Sequence, residues 1–341
     1  MQIAEIRQLL QSLHVSETEL IETHISWVIL LDTYAYKLKR PVRFSFLDFT
    51  TLDLRHQYCM REVELNQRLT EGIYLGVVPV YKSSDAITIG ESKGEIIDYA
   101  VKMRRMPQDR QMDMMLRKNQ VSKRHIEQIA ERLSAFHASA KVPSQPPDPD
   151  VMVADFTDLG NYAAVMRSRY GASGEQSIKD AIIQATDFLH SHTARIRERH
   201  ALGFVVDGHG DLHSKNIFLL DKPVIFDCIE FNDHLRHVDV LDELAFFCLD
   251  LELYGKKDLA LYFLEHYLVR YPCILTDEDR LLFRYFLLYR AGVKLKINLI
   301  KATDPSQILD RQLRWENVNG YYKLFEQYRD LLKKEAQSIY H

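Results

Sequence analysis

The sequence predicts an α+β fold in which a small antiparallel sheet comes first and a larger, mainly helical part follows. Through the first 105 residues, short apolar segments rich in β-branched and aromatic residues alternate with polar turns. From about residue 108, apolar residues recur at helical spacing instead. The 341 residues are sufficient for two hydrophobic cores. We therefore expect two domains, residues 1–105 and residues 106–341.

The composition is that of an ordinary globular protein, with 46% hydrophobic and 27% charged residues. A net charge of −4 lacks the strongly basic footprint of nucleic acid binding, so we expect no nucleic acid partner. Four widely spaced cysteines without a Cys-x-x-Cys pair indicate buried, reduced thiols. The first residues do not resemble a signal peptide, and no apolar run approaches the roughly 20 residues of a membrane span. We expect a cytoplasmic protein without a membrane partner.

The first elements predicted are a helix and a hairpin. Residues 3–13 have the apolar spacing of an amphipathic helix. Two strands follow at 22–31 and 33–39, close enough in sequence to pair as a hairpin. The second strand carries Lys37 and Lys39. Because side chains alternate along a strand, both lysines are expected on one face of the sheet.

A long helical stripe over residues 52–69 comes next and carries Glu62 and Glu64. These two glutamates lie on different faces of a helix. Three further strands are predicted to complete an antiparallel sheet, at 77–81, 86–89 and 96–103. Residues 104–107 then link the sheet to the helical part.

The remainder of the chain is predicted to be helical around one central hairpin. A helical stripe that includes His137 precedes a proline-rich loop at 142–149. A core histidine with a satisfied hydrogen bond is the preferred interpretation of His137. The later helices are expected at about 156–171, 175–200, 256–270, 277–300 and 306–338.

The residues that carry chemistry lie in the middle of the chain. The pattern is His209-x-Asp211-x-x-x-x-Asn216, followed by two short apolar strands around an Asp-Lys-Pro turn, and Asp227 at the end of the second strand. Phosphoryl transfer uses these groups: one carboxylate to accept the proton of the attacking hydroxyl, and an amide oxygen with a second carboxylate to hold Mg²⁺. A metal site of His209, Asp211 and His213 is the weaker interpretation, because it leaves Asn216 and Asp227 unexplained.

This pattern resembles the aminoglycoside phosphotransferase and choline kinase branch of the protein-kinase-like fold. The segment Phe226-Asp227-Cys228-Ile229-Glu230-Phe231-Asn232 is more similar still to an uncharacterised bacterial subfamily of that branch, often fused to a P-loop ATPase. No Gly-x-x-x-x-Gly-Lys-[Ser/Thr] motif occurs in this sequence. The resemblance implies a two-lobed fold, with a small antiparallel-sheet lobe that binds the nucleotide and a larger helical lobe with the catalytic loop and the acceptor site.

The resemblance also implies roles for residues of the first lobe. Ala35-x-Lys37 resembles the strand that carries the phosphate-binding lysine, and Glu62 matches the helix glutamate that pairs with it. Lys39 and Glu64 remain alternatives for this pair. Met103 and Met106 are expected beside the adenine, with ordinary core packing as the alternative. ATP and Mg²⁺ are the implied cofactors, and the pattern does not distinguish ATP from GTP.

The function implied is transfer of the γ-phosphoryl group of ATP to a hydroxyl of a small molecule, with Asp211 as the base and Asn216 and Asp227 on the metal. The alternative is a non-catalytic nucleotide-binding regulatory module with the same fold. In the resembled family His209 steadies the catalytic loop, and Asp239 matches a carboxylate that braces it.

The acceptor is not readable from the sequence. A polycationic antibiotic requires an acidic pocket, and the acidic candidates in the helical part are Asp242, Glu243, Asp250 and Glu252. Arg290 and Lys294, one helical turn apart, favour an anionic acceptor or a salt-bridged face instead.

Overall fold

The computed structural model describes residues 1–16, 19–44, 47–90, 94–303 and 311–339. Within these ranges the helices are α1 Ile3–Ser12, α2 Leu52–Asn66, α3 Met112–Arg117, α4 Lys123–Ser139, α5 Pro149–Thr157, α6 Ala163–Ser191, α7 Thr193–Ala201, α8 Val240–Leu253, α9 Lys257–Arg270, α10 Asp277–Thr303 and α11 Arg311–Ile339. The strands are β1 Leu20–Glu22, β2 Ser26–Leu30, β3 Tyr34–Lys39, β4 Arg43–Phe44, β5 Leu47–Asp48, β6 Tyr74–Lys82, β7 Ile87–Ile89, β8 Glu95–Arg104, β9 Val205–Asp207, β10 Ile217–Leu219, β11 Pro223–Ile225 and β12 His237–Asp239.

The chain forms two compact units. Unit 1 contains Met1–Gln120 and Lys215–Arg236, and unit 2 contains Val121–Ser214 and His237–His341. This division differs from the predicted domains 1–105 and 106–341, which assigned the β10–β11 hairpin to the second domain. The physical reason is packing, because Phe218 and Val224 of the hairpin belong to the same apolar cluster as Ala35 and Met103.

Unit 1 is built on a six-stranded antiparallel sheet in the order β1-β2-β3-β8-β6-β7. The sequence predicts an antiparallel sheet here, but with five strands and without this order, because the predicted strand 22–31 consists of β1 and β2. One face of the sheet packs on the apolar side of α1, through Ile6, Leu9 and Leu10. The other face carries Ala35 and packs with Cys59 of α2 and with the β10–β11 hairpin. Strand alternation puts Lys37 and Lys39 on this second face.

Unit 2 is mainly helical and has one short pair of strands, β9 and β12, in the part of the chain that is described. Its segmentation differs in detail from the prediction. Helix α5 starts at Pro149, where a proline is tolerated at the first helical position, rather than at 156. The predicted break near 172–174 corresponds to Gly171, whose φ of 74° interrupts α6. The predicted helix start at 306 lies outside the described residues.

A buried ion-pair network holds part of unit 2 together. Arg199 of α7 is fully buried and donates two hydrogen bonds to Asp239, at 2.6 and 2.8 Å, and one to Asp279, at 2.8 Å. Asp239 also caps α8 by accepting a 2.8 Å hydrogen bond from the amide of Leu241. The network therefore fixes the start of α8 relative to α7. In the described ranges, no helix has both the length and the apolar composition needed to cross a bilayer.

Replacement of Arg199 by Met is expected to lower the free energy of unfolding by roughly 3–5 kcal/mol, because it leaves two buried carboxylates short of a partner. Chemical denaturation measures this change. Arg197→Met, an exposed position on the same helix, is the matched control and should change stability by less than about 0.5 kcal/mol. Equal effects of the two substitutions would contradict a structural role for the network.

Candidate active site

The two lysines of β3 bind one buried glutamate. Lys37 donates a 2.8 Å hydrogen bond to Oε1 of Glu62, and Lys39 donates a 2.8 Å hydrogen bond to Oε2. Glu62 comes from α2 and is fully buried. Glu64 instead pairs with Arg61, and its side chain is 69% exposed. Glu62, and not Glu64, is therefore the glutamate that pairs with the lysines of β3. It pairs with both Lys37 and Lys39, the two alternatives that the sequence left open.

Two further carboxylates complete this chain of charges in unit 1. Lys37 contacts Oδ1 of Asp227 at 2.6 Å, and Lys39 donates a hydrogen bond to Glu230. The side chain of Lys39 is 1% exposed, whereas that of Lys37 is 13% exposed and that of Asp227 is 42% exposed. The ion pair of Lys39 and Glu230 is therefore buried, whereas the ion pair of Lys37 and Asp227 is partly exposed to solvent.

Burial and the neighbouring opposite charges shift the pKa values of these side chains in opposite directions. Burial alone would lower the pKa of Lys37, but the carboxylates of Asp227 and Glu62 raise it well above its usual range. For Glu62, burial would raise the pKa, and the two lysines lower it to about 2. Burial raises the pKa of Glu230 in spite of the attraction of Lys39. At neutral pH, Lys37 and Glu62 therefore both carry charge.

Asp227 occupies an unusual backbone conformation two residues after the end of β11. Its φ is 62°, in the left-handed region that aspartate and asparagine tolerate better than most residues. Its amide donates a 3.3 Å hydrogen bond to the hydroxyl of Tyr74. The next amide, of Cys228, donates a 2.9 Å hydrogen bond to the side chain of Asn66. These contacts hold the turn that directs the Asp227 carboxylate toward Lys37.

Asn216 directly precedes β10 and is hydrogen-bonded to the segment that follows β11 and leads to Asp227. Its carbonyl oxygen accepts a 3.0 Å hydrogen bond from the amide of Phe226, which continues the register of Ile217 opposite Ile225. Asn216 and Asp227 therefore lie at the same end of the β10–β11 hairpin. An amide oxygen and a carboxylate are hard oxygen donors, the type that Mg²⁺ prefers.

Met103 and Met106 lie at the end of the sheet and just beyond it. Met103 is buried and pairs with Ala35 across β8 and β3. Met106 is partly buried and packs against the same apolar cluster, which includes Phe218 of the hairpin. Both methionines are thus on the sheet face that carries Lys37.

In unit 2, two carboxylates of α8 hold the loop 208–214. Glu243 accepts hydrogen bonds from the amides of His209, at 2.6 Å, and Gly210, at 2.5 Å. Asp250 accepts a 2.8 Å hydrogen bond from the amide of Ser214. A Cβ atom at Gly208 would lie 2.8 Å from the Glu243 carboxyl carbon, so the close approach requires glycine. Both ends of the loop are fixed from one helix.

Glu243 has a further partner in the core. The Nε2 atom of His137 lies 2.7 Å from Oε2 of Glu243, and Nδ1 lies 2.6 Å from the hydroxyl of Tyr267. His137 is thus a buried histidine with both ring nitrogens bound, as the preferred interpretation predicts. Burial alone would raise the pKa of Glu243, but hydrogen bonding to His137 and the field of His209 lower it to about 2. The carboxylate is therefore charged at neutral pH.

Asp211 is presented by the loop with its carboxylate 39% exposed. Its amide donates a 3.2 Å hydrogen bond to Nδ1 of His209, and its carboxylate lies 3.2 Å from Nε2 of His213. Burial would raise the pKa of Asp211, but His213, Lys294 and His209 lower it well below its usual range. Asp211 is therefore ready to accept a hydrogen bond at neutral pH.

The acidic residues considered for a polycation pocket have structural partners instead. Asp242 accepts two 2.6 Å hydrogen bonds from Arg290, which also donates one to the carbonyl of Gly210 at 3.3 Å. Glu243 and Asp250 bind the loop 208–214 as described. The carboxylate expected to brace this loop was Asp239, which instead binds Arg199 and caps α8. The support from Glu243 and Asp250 was not predicted. The contact between Glu243 and the amide of His209 could not be predicted from the sequence, because it depends on how α8 packs against the loop.

No protein-family model matches the sequence. An uncharacterized protein of Mycobacterium tuberculosis and one of Mycobacterium bovis are each 32% identical to the chain over 292 residues, which cover 82% of this chain and 54% of the relative. The chain thus spans about half the length of the curated relatives that it matches.

Two solved structures are similar over nearly the whole chain. A choline kinase from Cryptosporidium parvum Iowa II has a TM-score of 0.54 at 9% identity and covers 97% of this chain and 94% of its own. The GDP and kanamycin complex of APH(2")-IIia has a TM-score of 0.50 at 13% identity and covers 96% and 99%. The chain shares their fold. The predicted kinase-like α+β fold is therefore confirmed.

Glu243→Gln is expected to lower the free energy of unfolding at pH 7 by roughly 3 kcal/mol, because the folded protein holds this carboxylate at a pKa of about 2 instead of 4.5. A carboxylate whose pKa is lower in the folded protein than in the unfolded chain stabilises the folded protein at pH values above the pKa of the unfolded chain. The difference between wild type and variant should therefore be largest above about pH 5 and shrink between pH 4.5 and 2.

Denaturant titrations at several pH values measure this difference. Glu265→Gln, an exposed position on α9, is the control and should give the same stability as wild type across the pH range. A difference for Glu243→Gln that does not change with pH would show that the charge of Glu243 is not what stabilises the loop.

Proposed function

We propose that the protein is a small-molecule kinase that transfers the γ-phosphoryl group of ATP to a hydroxyl group, with Mg²⁺ as cofactor. The observation that carries the proposal is the hydrogen-bonded group of Lys37, Glu62 and Asp227 in a chain whose loop 208–214 presents Asp211. Asn216 follows Asp211 by five positions in the sequence, with four residues between them. The shared fold with a choline kinase and with a kanamycin-bound protein supports the same reaction class.

In this proposal, unit 1 binds the nucleotide. Lys37 would bind the phosphates, because it is the more exposed of the two lysines and is fixed from behind by Glu62. Met103 and Met106 would pack against the adenine, since both lie on the sheet face that carries Lys37. Glu62 acts as a positioning residue. Its carboxylate keeps the Lys37 ammonium in one place, which is how such sites stabilise charge on a leaving nucleotide.

Asn216 and Asp227 would hold Mg²⁺. Their donor atoms suit it, and the register of β10 and β11 puts both residues at one end of the hairpin. The metal ion would supply neutralisation of phosphate charge when bound. The contact between Lys37 and Asp227 keeps this carboxylate beside the phosphate-binding cation.

Asp211 would bind the acceptor hydroxyl. As the acceptor oxygen forms its bond to the γ-phosphorus, the bond from that phosphorus to its bridging oxygen breaks, and ADP leaves with the electron pair. The hydroxyl proton passes to Asp211 and then to solvent. The low pKa of Asp211, caused by His213, Lys294 and His209 against the effect of burial, makes it a weak base. Its main contribution is therefore orientation, with proton transfer late in the reaction.

Asp211→Asn and Asp227→Asn should each reduce phosphoryl transfer by about 10²–10⁴-fold while the protein stays folded. Asparagine preserves the shape of both side chains and tolerates the left-handed backbone at position 227. The measurement is ADP release, with and without Mg²⁺, against a panel of hydroxylated metabolites, choline and aminoglycosides. Asp221→Asn, exposed in the turn of the same hairpin, is the control and should retain wild-type rates.

Transfer that persists in both variants would refute the assignment. Stabilisation of the wild-type protein by ATP and Mg²⁺ without transfer to any acceptor would favour the non-catalytic nucleotide-binding module instead, because a ligand that binds only the folded state raises the melting temperature.

Lys37→Met and Lys39→Met should have different effects. Lys37→Met is expected to lower the rate by about 10²–10³-fold through loss of a phosphate contact. Lys39→Met leaves buried Glu230 without its lysine and should mainly lower the melting temperature, as measured by calorimetry. Glu230→Gln added to Lys39→Met should recover part of that loss. If Lys39→Met lowers the rate as much as Lys37→Met at unchanged stability, Lys39 is the phosphate-binding residue.

A further inference from the structure

The backbone turn at Asp227 is bound by one buried side chain at the end of α2, Asn66. This side chain is 1% exposed, and both atoms of its amide group are bound. Its Oδ1 atom accepts a 2.9 Å hydrogen bond from the amide of Cys228, and its Nδ2 atom donates a 2.8 Å hydrogen bond to the carbonyl of Glu62. The partners fix this orientation, since a backbone N–H donates and a carbonyl accepts. Asn66 thus connects the residue after Asp227 with the helical turn that carries Glu62.

The conformation of Asp227 requires such support. A φ of 62° brings the Cβ atom close to the backbone and is unfavourable for a residue with a side chain. The peptide groups on the two sides of the Asp227 Cα atom are both hydrogen-bonded. The amide of Asp227 donates to the Tyr74 hydroxyl at 3.3 Å, which is longer than usual, and the amide of Cys228 donates to Asn66 at 2.9 Å. The bond to Asn66 is therefore the shorter of the two that fix the turn.

The chain beyond the turn has separate anchors. The carbonyl of Ile229 accepts a 2.8 Å hydrogen bond from Arg236, which is fully buried. Glu230 is bound by Lys39. Removal of the Asn66 amide would loosen the turn itself and leave these anchors intact. The expected effect is consequently local to the turn rather than spread over unit 1.

We propose that Asn66 is a positioning residue that keeps the Asp227 carboxylate beside Lys37 and thereby strengthens Mg²⁺ binding together with the nucleotide. The inference rests on the proposed function, because it takes Asp227 as a ligand of Mg²⁺. The contacts form a closed ring. Lys37 binds the carboxylates of Asp227, at 2.6 Å, and Glu62, at 2.8 Å, while Asn66 joins the backbones of Glu62 and Cys228.

Loss of this link should affect the metal more than the nucleotide. Lys37 keeps its own hydrogen bond to Glu62, so its contact with the phosphates would persist. Asp227, in contrast, would lose the stronger of the two bonds that fix its backbone. Mg²⁺ requires near-ideal octahedral geometry, so a carboxylate that moves is a weaker ligand. The factor by which Mg²⁺ tightens nucleotide binding should therefore fall, and by linkage so should the factor by which the nucleotide tightens Mg²⁺ binding.

Hydrogen exchange on the ligand-free full-length chain tests the link directly. Asn66→Ala and the similarly sized Asn66→Leu remove the same two hydrogen bonds, and Leu retains the packing volume at the site. Amides in the peptide 227–232 should exchange roughly tenfold faster in both variants. Thr70→Val is the matched control, because the buried Thr70 hydroxyl donates a 2.8 Å hydrogen bond to the carbonyl of Asn66 and not to the turn. It should leave exchange in 227–232 unchanged. Melting temperatures establish that the variants fold.

Titration calorimetry with ADP, in the presence and absence of Mg²⁺, tests the consequence for the site. In both Asn66 variants the factor by which Mg²⁺ tightens ADP binding should fall about tenfold, while metal-free ADP affinity stays within about threefold of wild type. Thr70→Val lowers stability at the same end of α2 and should keep the wild-type factor. Asp227→Asn should abolish the Mg²⁺ effect. A loss of stability alone would weaken ADP binding equally with and without the metal, so this split separates positioning from stability.

The inference is overturned if 227–232 exchanges at the wild-type rate in both Asn66 variants, or if their Mg²⁺ factor falls no further than that of Thr70→Val. Either result leaves the proposed function standing, provided that Asp227→Asn abolishes the Mg²⁺ effect and the wild type transfers phosphate. If Mg²⁺ does not tighten ADP binding to the wild type, or still does so in Asp227→Asn, the proposed metal site is wrong and the inference falls with it.

Discussion

The carboxylate of Glu62 is fully buried and binds two lysines, one through each oxygen. A charge in that position is stable only when it is paired, since the penalty for desolvating an unpaired carboxylate amounts to several kcal/mol. The requirement is met by bringing together three pieces of unit 1: strand β3, helix α2, and the segment after β11 that supplies Asp227 and Glu230. The positions of Lys37 and Asp227 follow from this requirement for charge pairing. The two lysines differ in exposure, because Lys39 is buried and Lys37 is partly exposed.

Unit 2 also contains buried carboxylates with bound partners, and these carboxylates position a loop. Helix α8 has three buried acidic residues, and each is satisfied by a group that belongs to, or steadies, the loop 208–214. No helix or strand covers residues 208–213. The carboxylates of α8 satisfy amides of this segment that a helix or a sheet would otherwise satisfy. Preorganised positioning of this kind is the main source of rate enhancement in phosphoryl transfer, where the protein does little covalent chemistry.

Much of the fold was predictable because it depends on local patterns. The order of strands and helices, the β2–β3 hairpin and the shared face of Lys37 and Lys39 all follow from side-chain periodicity. The residue spacing around Asp211, Asn216 and Asp227 singled them out as candidates, and their roles stay a proposal. Long-range pairs were not predictable. Nothing in the sequence indicates that Arg290 binds Asp242 or that Glu243 binds the amide of His209, since these contacts arise when distant helices pack.

Unit 1 is assembled from two separate stretches of the chain, and Lys215–Arg236 enters it after the polypeptide has already run through much of unit 2. During synthesis, the first 120 residues therefore emerge without the hairpin that covers one face of their sheet and without the partners Asp227 and Glu230. An amino-terminal fragment that ends at residue 120 would expose apolar surface and leave the two lysines with Glu62 but without Asp227 and Glu230. The sheet unit is consequently unsuited to independent expression, and its maturation has to wait for translation to pass residue 236.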